Sequence, residues 1–332
     1  MGAGLQATRR APAIASCPGS RVVGVVAPDA ERARRLAETV GADWGTDVSG
    51  AMAREDVDAV VVCTPPHVHR EITLEALALG RHVLCEKPLA MTSAEAAEMA
   101  SAARRHGRVL KCGFNHRHHP AVAALQQHVA AGRIGRPVFG RAVYGFGGRP
   151  GIAGEWRSDP RRAAGGQLME QGIHAVDLFR WIAGDFEAVT CRTATAVFPI
   201  APFEDNAFCV LERADGFAAS ISSSLLQWRN RFELEVYGTD GYAAVMGLGG
   251  SYGTERLVLA ARDLFAPFTE TCVEYRGADI SWRLEWEELC AAAREGRRPL
   301  GDAEDGAAAM ALVEAAYQSA CTGFRMRVGG AA

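Results

Sequence analysis

Through the first third of the chain, short apolar runs alternate with amphipathic stretches. Residues 21–27 (RVVGVVA) read as a buried strand and 30–39 as a helix. Residues 59–63 (AVVVC) read as a second strand, followed by a helical stretch ending at Leu79. Residues 82–85 and 109–113 complete the set, with a helix over 93–106 between them that Ser93 can cap. Strands that are apolar throughout, rather than alternating, predict a parallel sheet covered by helices on both faces. The pattern then changes. After a helix over 121–131, the segments 138–144, 188–197, 207–213, 218–226, 232–237 and 242–246 alternate with period two and mostly follow one another without helices. Ala214-Asp215-Gly216 and Thr239-Asp240-Gly241 mark turns between them. This predicts a mostly antiparallel open sheet, with helices over 168–182, 282–294 and 303–320 covering one face. The fold class is α/β: a Rossmann domain over 1–117 and an α/β domain over 118–332. A length of 332 residues fits two domains.

Composition narrows the picture. A formal charge of −3 gives no basic stripe, so nucleic acid is not an expected partner. No apolar run reaches the roughly 18–20 residues of a membrane helix, and the first residues lack a signal-peptide core. Nine cysteines are scattered without a C-x-x-C pair, which argues against a zinc knuckle or redox motif and for the reducing cytoplasm.

Gly2-Ala3-Gly4-Leu5-Gln6-Ala7 fits the dinucleotide turn G-x-G-x-x-G/A. The first glycine permits the tight turn, the second admits the pyrophosphate, and the small last residue lets helix and strand pack. Leu5 and Gln6 begin the helix whose N–H groups would meet the phosphates. Such a turn follows a strand, yet here it begins at residue 2, so the first strand of the sheet is missing from the sequence. Either the start is assigned too late and several upstream residues are missing, or the sheet lacks its central strand. At the end of the second strand, Ala27 stands where an acid usually holds the ribose 2′-OH. Asp29 either substitutes for it or caps the next helix. Without the acid, NADP is open beside NAD, with Arg32, Arg9 or Arg10 near a 2′-phosphate.

Three further motifs follow in order: Thr64-Pro65-Pro66-His67-Val68-His69, Glu86-Lys87-Pro88, and the segment from Gly165-Gly166 through Glu170 and His174 to Asp177. With the glycine turn, their order and spacing resemble the glucose–fructose oxidoreductase / inositol dehydrogenase / rhizopine catabolism (Gfo/Idh/MocA) family over nearly the whole chain. The resemblance implies a nicotinamide cofactor, a polyol-like substrate between the domains, and a homo-oligomer, a dimer or tetramer, formed through the open sheet. It implies that Thr64, Pro65, His67 and Glu86 line the cofactor crevice, that Lys87 and His174 are the catalytic pair, and that Asn115, Trp156 and Arg157 approach nicotinamide or substrate. Glu170 stands where the family usually has Asp, one methylene longer.

The residues suit that chemistry. A secondary alcohol losing hydride must also lose a proton, and histidine titrates near working pH. Glu170, His174 and Asp177 are spaced to share one helix face, where a carboxylate can orient an imidazole. His174 is the expected acid/base. Lys87 is expected to stabilise the developing negative oxygen, or to accept the proton itself if its pKa is lowered. Glu170, Asn115 and Trp156 join them as substrate contacts. The cluster Asn115-His116-Arg117-His118-His119 has histidines enough for zinc, but it follows a strand's C-terminal end, where substrate and cofactor bind; no metal is expected. The predicted function is NAD(P)-dependent hydride transfer at a secondary alcohol or ketone of a sugar, amino sugar or cyclitol. The alternatives are a non-catalytic NAD(P)-binding regulator and an NAD-dependent glycosidase.

Overall fold

The computed structural model describes residues 1–265 and 269–329, which divide into two units. The first comprises Met1–Asn115, Arg161–Ala164 and Ile280–Ala308. Its helices are α1 (Leu5–Ala15), α2 (Ala30–Val40), α3 (Val48–Ala53), α4 (His69–Ala78) and α5 (Ser93–His106). Its strands are all parallel. β1 (Gly24–Val26) pairs with β2 (Asp43–Gly45), and separately β3 (Ala59–Val62), β4 (His82–Cys85) and β5 (Leu110–Cys112) pair in that order. The sheet is thus split between β1 and β3. Met1 and Gly2 bridge the gap at one end: the Met1 carbonyl accepts from Cys63 N at 2.7 Å, and Gly2 N donates to Val26 O at 2.7 Å. Beyond them lies a cavity of about 390 Å³, lined by residues 22–26 and 59–61 with Trp44 and Trp286.

α1 has two buried faces. Ala7 and Ala11 pack with Val25, Ala27, Leu36 and Ala37. Ile14 packs with Leu84, Trp286 and Leu289. The last two belong to α8 (Ser281–Glu295), which the sequence reading put over the open sheet within 118–332. α8 instead docks on α1, and 280–308 joins the first unit. A buried ion pair explains the preference: Arg10 of α1 donates to Glu285 at 2.5 Å, where both side chains are almost wholly enclosed. Burying Trp286 and Leu289 against Ile14 adds roughly 1.5–3 kcal/mol per side chain.

The second unit comprises His116–Pro160, Gly165–Asp279 and Ala309–Ala332. Its strands are β6 (Pro137–Gly145), β7 (Ala188–Ala194), β8 (Asn206–Glu212), β9 (Ala218–Ser224), β10 (Arg231–Gly238), β11 (Gly241–Met246), β12 (Glu255–Ala261), β13 (Glu270–Tyr275) and β14 (Met326–Arg327). Among the described residues they form one sheet in the order β13-β12-β11-β10-β6-β9-β8-β7-β14, antiparallel except for the parallel pair β6–β9. Strands β12 and β13, which the sequence reading passed over, extend one edge. α6 (Pro120–Ala130) and α7 (Ile173–Ala183) pack on one face of the sheet. α9 (Ala303–Thr322) starts in the first unit and runs on into the second.

Candidate active site

In the first unit the glycine turn is sterically fixed. Gly2 has φ +92°, and a Cβ there would lie 2.8 Å from the Cys63 carbonyl oxygen. Neither a side chain nor an ordinary backbone conformation fits this approach. Gly4 is the N-cap of α1, faces open space, and brings no capping side chain. The first amides of α1 are therefore uncapped, with no acid in the first turn, and at this end the helix dipole favours an anion. Leu5 is exposed, and Ala7 is the small residue packed under the turn. Two buried polar atoms beside the turn, Gln6 Oε1 and Thr64 Oγ1, have no hydrogen-bond partner among the described residues. Uncapped amides, a cradle that a Cβ would fill and orphaned polar atoms together fit a dinucleotide.

Ala27 is buried at the end of β1, its N–H donating to Gly45 O. Asp29 caps α2, accepting from Arg32 N at 3.1 Å and pairing with the Arg32 guanidinium. Arg10, offered above for a 2′-phosphate, is 2% exposed and enclosed by Glu86 (2.6 Å) and Glu285 (2.5 Å). Burial opposes its charge, but the two carboxylates hold it above the usual guanidinium range. Burial pushes Glu285 above the ordinary carboxylate range despite Arg10. Glu86, expected to line the cofactor crevice, therefore has a carboxylate committed to Arg10, where it anchors the strand end just before Lys87.

Thr64 and Pro65 follow β3, and His67 is exposed on the 3-10 turn Pro66–Val68. His69 is a residue that sequence reasoning left without a role. Fully buried, it sets Nε2 2.7 Å from Thr64 O and Nδ1 3.0 Å from Pro88 O. It thereby sits between the Thr64 loop and the loop holding Lys87, and burial lowers its pKa. Lys87 is half-buried and joined to Pro88 by a cis peptide. Asn115 is buried, with Nδ2 donating to Ser281 Oγ at 3.0 Å.

In the second unit, residues 168–172 form a π turn that runs directly into α7. A regular helix was expected here. Just before the turn, Gly166 leaves no room for a side chain, since a Cβ there would lie within 2.6 Å of Glu204 atoms, the backbone oxygen among them. Glu204 is buried and accepts from Leu168 N at 2.8 Å and from the Tyr317 hydroxyl at 2.9 Å. Burial raises its pKa. Its neighbour Asp205 accepts from the amides of Ala196, Val197 and Phe198, so both acids hold backbone.

Glu170 and Asp177, which flank His174 in the sequence, each meet an arginine. Glu170 accepts from Arg157 at 3.4 Å, and the Arg157 guanidinium lies over the Trp156 ring, 4.3 Å from its centroid. His174, on the first turn of α7, is 4% exposed and stacked on His116. Asp177 is fully buried in a two-point ion pair with Arg117 at 2.9 and 2.5 Å. Among the described residues no three His, Cys, Asp or Glu side chains come together to hold a metal ion; His119 is bound to Glu255 at 2.9 Å.

A Gly-x-Gly turn on a parallel sheet, with uncapped amides aimed at open space, defines a dinucleotide-binding Rossmann protein. The comparisons with known proteins agree. A profile described as "Oxidoreductase family, NAD-binding Rossmann fold" matches residues 1–114, and one described as "GFO/IDH/MocA C-terminal domain" matches residues 122–244. The 1,5-anhydro-D-fructose reductase of Ensifer adhaerens is 34% identical over 225 residues, 67% of this chain and 67% of the relative. Inositol 2-dehydrogenase 2 of Saccharopolyspora erythraea is 29% identical over 323 residues, 92% and 87% of the two chains. The crystal structure of GenD2 from gentamicin A biosynthesis, in complex with NAD, has a TM-score of 0.86 at 26% identity, covering 99% of this chain and 95% of that one. The chain belongs to the GFO/IDH/MocA family of oxidoreductases, and its first unit carries the family's NAD-binding Rossmann fold.

Proposed function

We propose that the protein is an NAD-dependent dehydrogenase or ketoreductase acting on a secondary alcohol or ketone of a sugar, amino sugar or cyclitol. The observation that carries this reading is His174: a nearly buried imidazole at the start of α7, reached through a π turn, in a chain whose other unit presents a dinucleotide turn. The glycine turn and the first amides of α1 hold the pyrophosphate, while Gln6 and Thr64 supply the polar atoms beside it. A nicotinamide held there would supply the hydride chemistry. In the oxidising direction His174 takes the hydroxyl proton as the hydride leaves carbon, and in the reducing direction it gives the proton back. Lys87 donates a hydrogen bond to the reacting oxygen and steadies its negative charge. Glu170, oriented by Arg157, and Trp156 contact substrate hydroxyls and ring faces. Of Arg9, Arg10 and Arg32, Arg10 is enclosed by Glu86 and Glu285 and so kept from a 2′-phosphate, and the matching NAD-binding profile supports NAD.

The outer face of the open sheet is proposed as a contact between copies of the chain. All nine cysteines are free thiols, which supports a reducing compartment, the cytoplasm. No described helix is long and apolar enough to cross a membrane.

The test follows nicotinamide absorbance across a panel of sugars, amino sugars and cyclitols, with NAD and NADP in separate runs. Turnover is expected with NAD. The variants Lys87→Ala and His174→Ala are expected to lose about 10²–10⁴-fold in kcat while still binding the cofactor. Cofactor binding with no turnover of any substrate would favour a regulator, and unchanged kcat in both variants would refute the assigned roles.

A further inference from the structure

Two of the nine thiols, neither used by the proposed reaction, meet inside the second unit. Cys191 on β7 and Cys209 on β8 stand directly opposite in the antiparallel register. Their sulfurs are 3.0 Å apart, with the Cys209 thiol donating to the Cys191 sulfur. The Cys191 amide points away from β8 and donates to Ser319 Oγ of α9 at 2.9 Å. The two cysteines therefore form a non-hydrogen-bonded pair, the position at which antiparallel strands bring side chains closest. Cα atoms at such a position lie roughly 4.5 Å apart, within the range a disulfide spans, and the sulfurs need to close by only about 1 Å to bond. The pair points inward. Cys191 is 1% and Cys209 3% exposed, while Phe208 and Val210 on either side of Cys209 face out.

We propose that Cys191 and Cys209 are a modification site, a pair that peroxide oxidises to a reversible disulfide stapling β7 to β8. The hydrogen bond between them sets the order of events. Cys209 keeps its proton, because its bond to Cys191 and its burial hold its pKa well above the ordinary thiol value. The accepting sulfur, Cys191, is the one that attacks. Its proton leaves to water, its sulfur takes one oxygen of hydrogen peroxide, the O–O bond breaks, and hydroxide departs to become water. Cys191 is then a sulfenic acid. The Cys209 sulfur displaces the hydroxyl group, which leaves with the Cys209 proton as a second water. Two thiols lose two electrons and two protons, and the peroxide gains them. With the second sulfur already in contact, condensation to the disulfide outruns further oxidation of Cys191. Access is through β7. Among the described residues, β14 pairs on its outer side with Ala188 and Val189, and at Cys191 a side-chain hydroxyl takes the place of a ladder. A strand held in this way opens locally more readily than one paired on both sides. Burial keeps the reaction slow, so the pair stays reduced unless peroxide persists.

The pairing is independent of the function proposed above, and its test needs no substrate. The full chain, with the exposed Cys272 and Cys321 replaced by serine to prevent links between molecules, is incubated with hydrogen peroxide and quenched. It is then alkylated in denaturant, digested and mapped by mass spectrometry. The peptides bearing Cys191 and Cys209 are expected to be joined, about 2 Da lighter than the two thiol peptides together, and dithiothreitol is expected to separate them. The linked protein is expected to melt about 5 °C or more above the reduced one, since the link closes a loop between positions 18 residues apart. The gain is expected to vanish with dithiothreitol, which leaves methionine sulfoxide untouched. In Cys209→Ala the oxidised Cys191 has no second sulfur to meet and is expected to end as a sulfinic or sulfonic acid that dithiothreitol does not reverse. Three results in the protein that keeps both cysteines overturn the assignment: both thiols still open to alkylation after prolonged peroxide, an acid on either in place of the link, or a link to any other cysteine. A Cys191–Cys209 link that leaves the melting temperature unmoved overturns the staple.

Discussion

At Gly2 one hydrogen atom decides whether the dinucleotide turn exists. The residue has φ +92°, and its missing Cβ would sit 2.8 Å from the Cys63 carbonyl oxygen and 3.1 Å from Thr64 N. Both are backbone atoms, so no side-chain adjustment relieves the clash. Gly2→Ala is expected to cost about 1–3 kcal/mol through strain alone. It should weaken NAD at least tenfold, because the turn and the Thr64 loop shift together. Thermal melting and a fluorescence titration with NAD check this; a variant that melts and binds like the wild type would remove the turn from the cofactor site. The spacing of Gly2, Gly4 and Ala7 was enough to foresee the turn, since it follows from covalent geometry. The role of His69 was not foreseeable, because its partners Thr64 O and Pro88 O are backbone carbonyls whose positions exist in the fold alone. The same holds for Asp29, whose two readings, ribose ligand and helix cap, use the same oxygens; the fold has them cap α2.

At the level of elements, alternation recovered the open sheet well. β6, β8, β10 and β11 fall within a residue or two of the segments read from period-two patterns, because half-buried antiparallel strands must alternate. Two elements escaped that logic. α8 is amphipathic whichever surface it covers, and its docking on α1 depends on the distant pair Arg10–Glu285. The π turn before α7 starts at Leu168, whose amide donates to Glu204, 36 residues away in sequence. Glu204 also makes this element pH-sensitive. Its carboxyl is raised by burial, so the folded state binds a proton more tightly than the unfolded chain does. The stabilisation that results is complete below the ordinary carboxylate pKa of about 4.3 and is lost as pH rises through the raised folded value. Glu204→Gln cannot ionise and keeps an acceptor for Leu168 N. Its melting temperature relative to wild type is therefore expected to rise by a few degrees between pH 4.5 and pH 8. A constant difference across that range would mean that Glu204 does not change charge in the folded protein.

At the level of the whole molecule, the open sheet of the second unit leaves apolar side chains on the face away from α6 and α7. Phe208 is 54% and Val210 43% exposed on β8, and Phe139 on β6 is 39% exposed. The register sets Phe208 opposite Ser222 and Val210 opposite Ser220, so small β9 residues flank both large ones and leave them prominent. Phe139 stacks on Tyr237 with centroids 4.5 Å apart, and Tyr237 stacks on Tyr242 at 5.2 Å, which extends the patch across β10 and β11. The ion pair Arg141–Glu235 lies in the row that holds Val210, between this aromatic row and the row that holds Phe208. Large exposed apolar side chains gathered on one face of a sheet suit a contact with another chain. The strands that carry them are internal to the sheet, so a partner would meet them face to face rather than by adding a strand at an edge. A second copy presenting the same face satisfies this with twofold symmetry. Replacing Phe208 and Val210 together by Glu sets two carboxylates against their own symmetry mates, where they cannot be solvated. Sedimentation velocity is expected to give a multiple of 35.4 kDa for the wild type and 35.4 kDa itself for the double variant. The melting temperature of the isolated chain should change little, since both side chains point away from the core. An unchanged sedimentation coefficient in the variant would place the subunit contact elsewhere, and a monomeric wild type would leave the exposed aromatic face without the partner assigned to it.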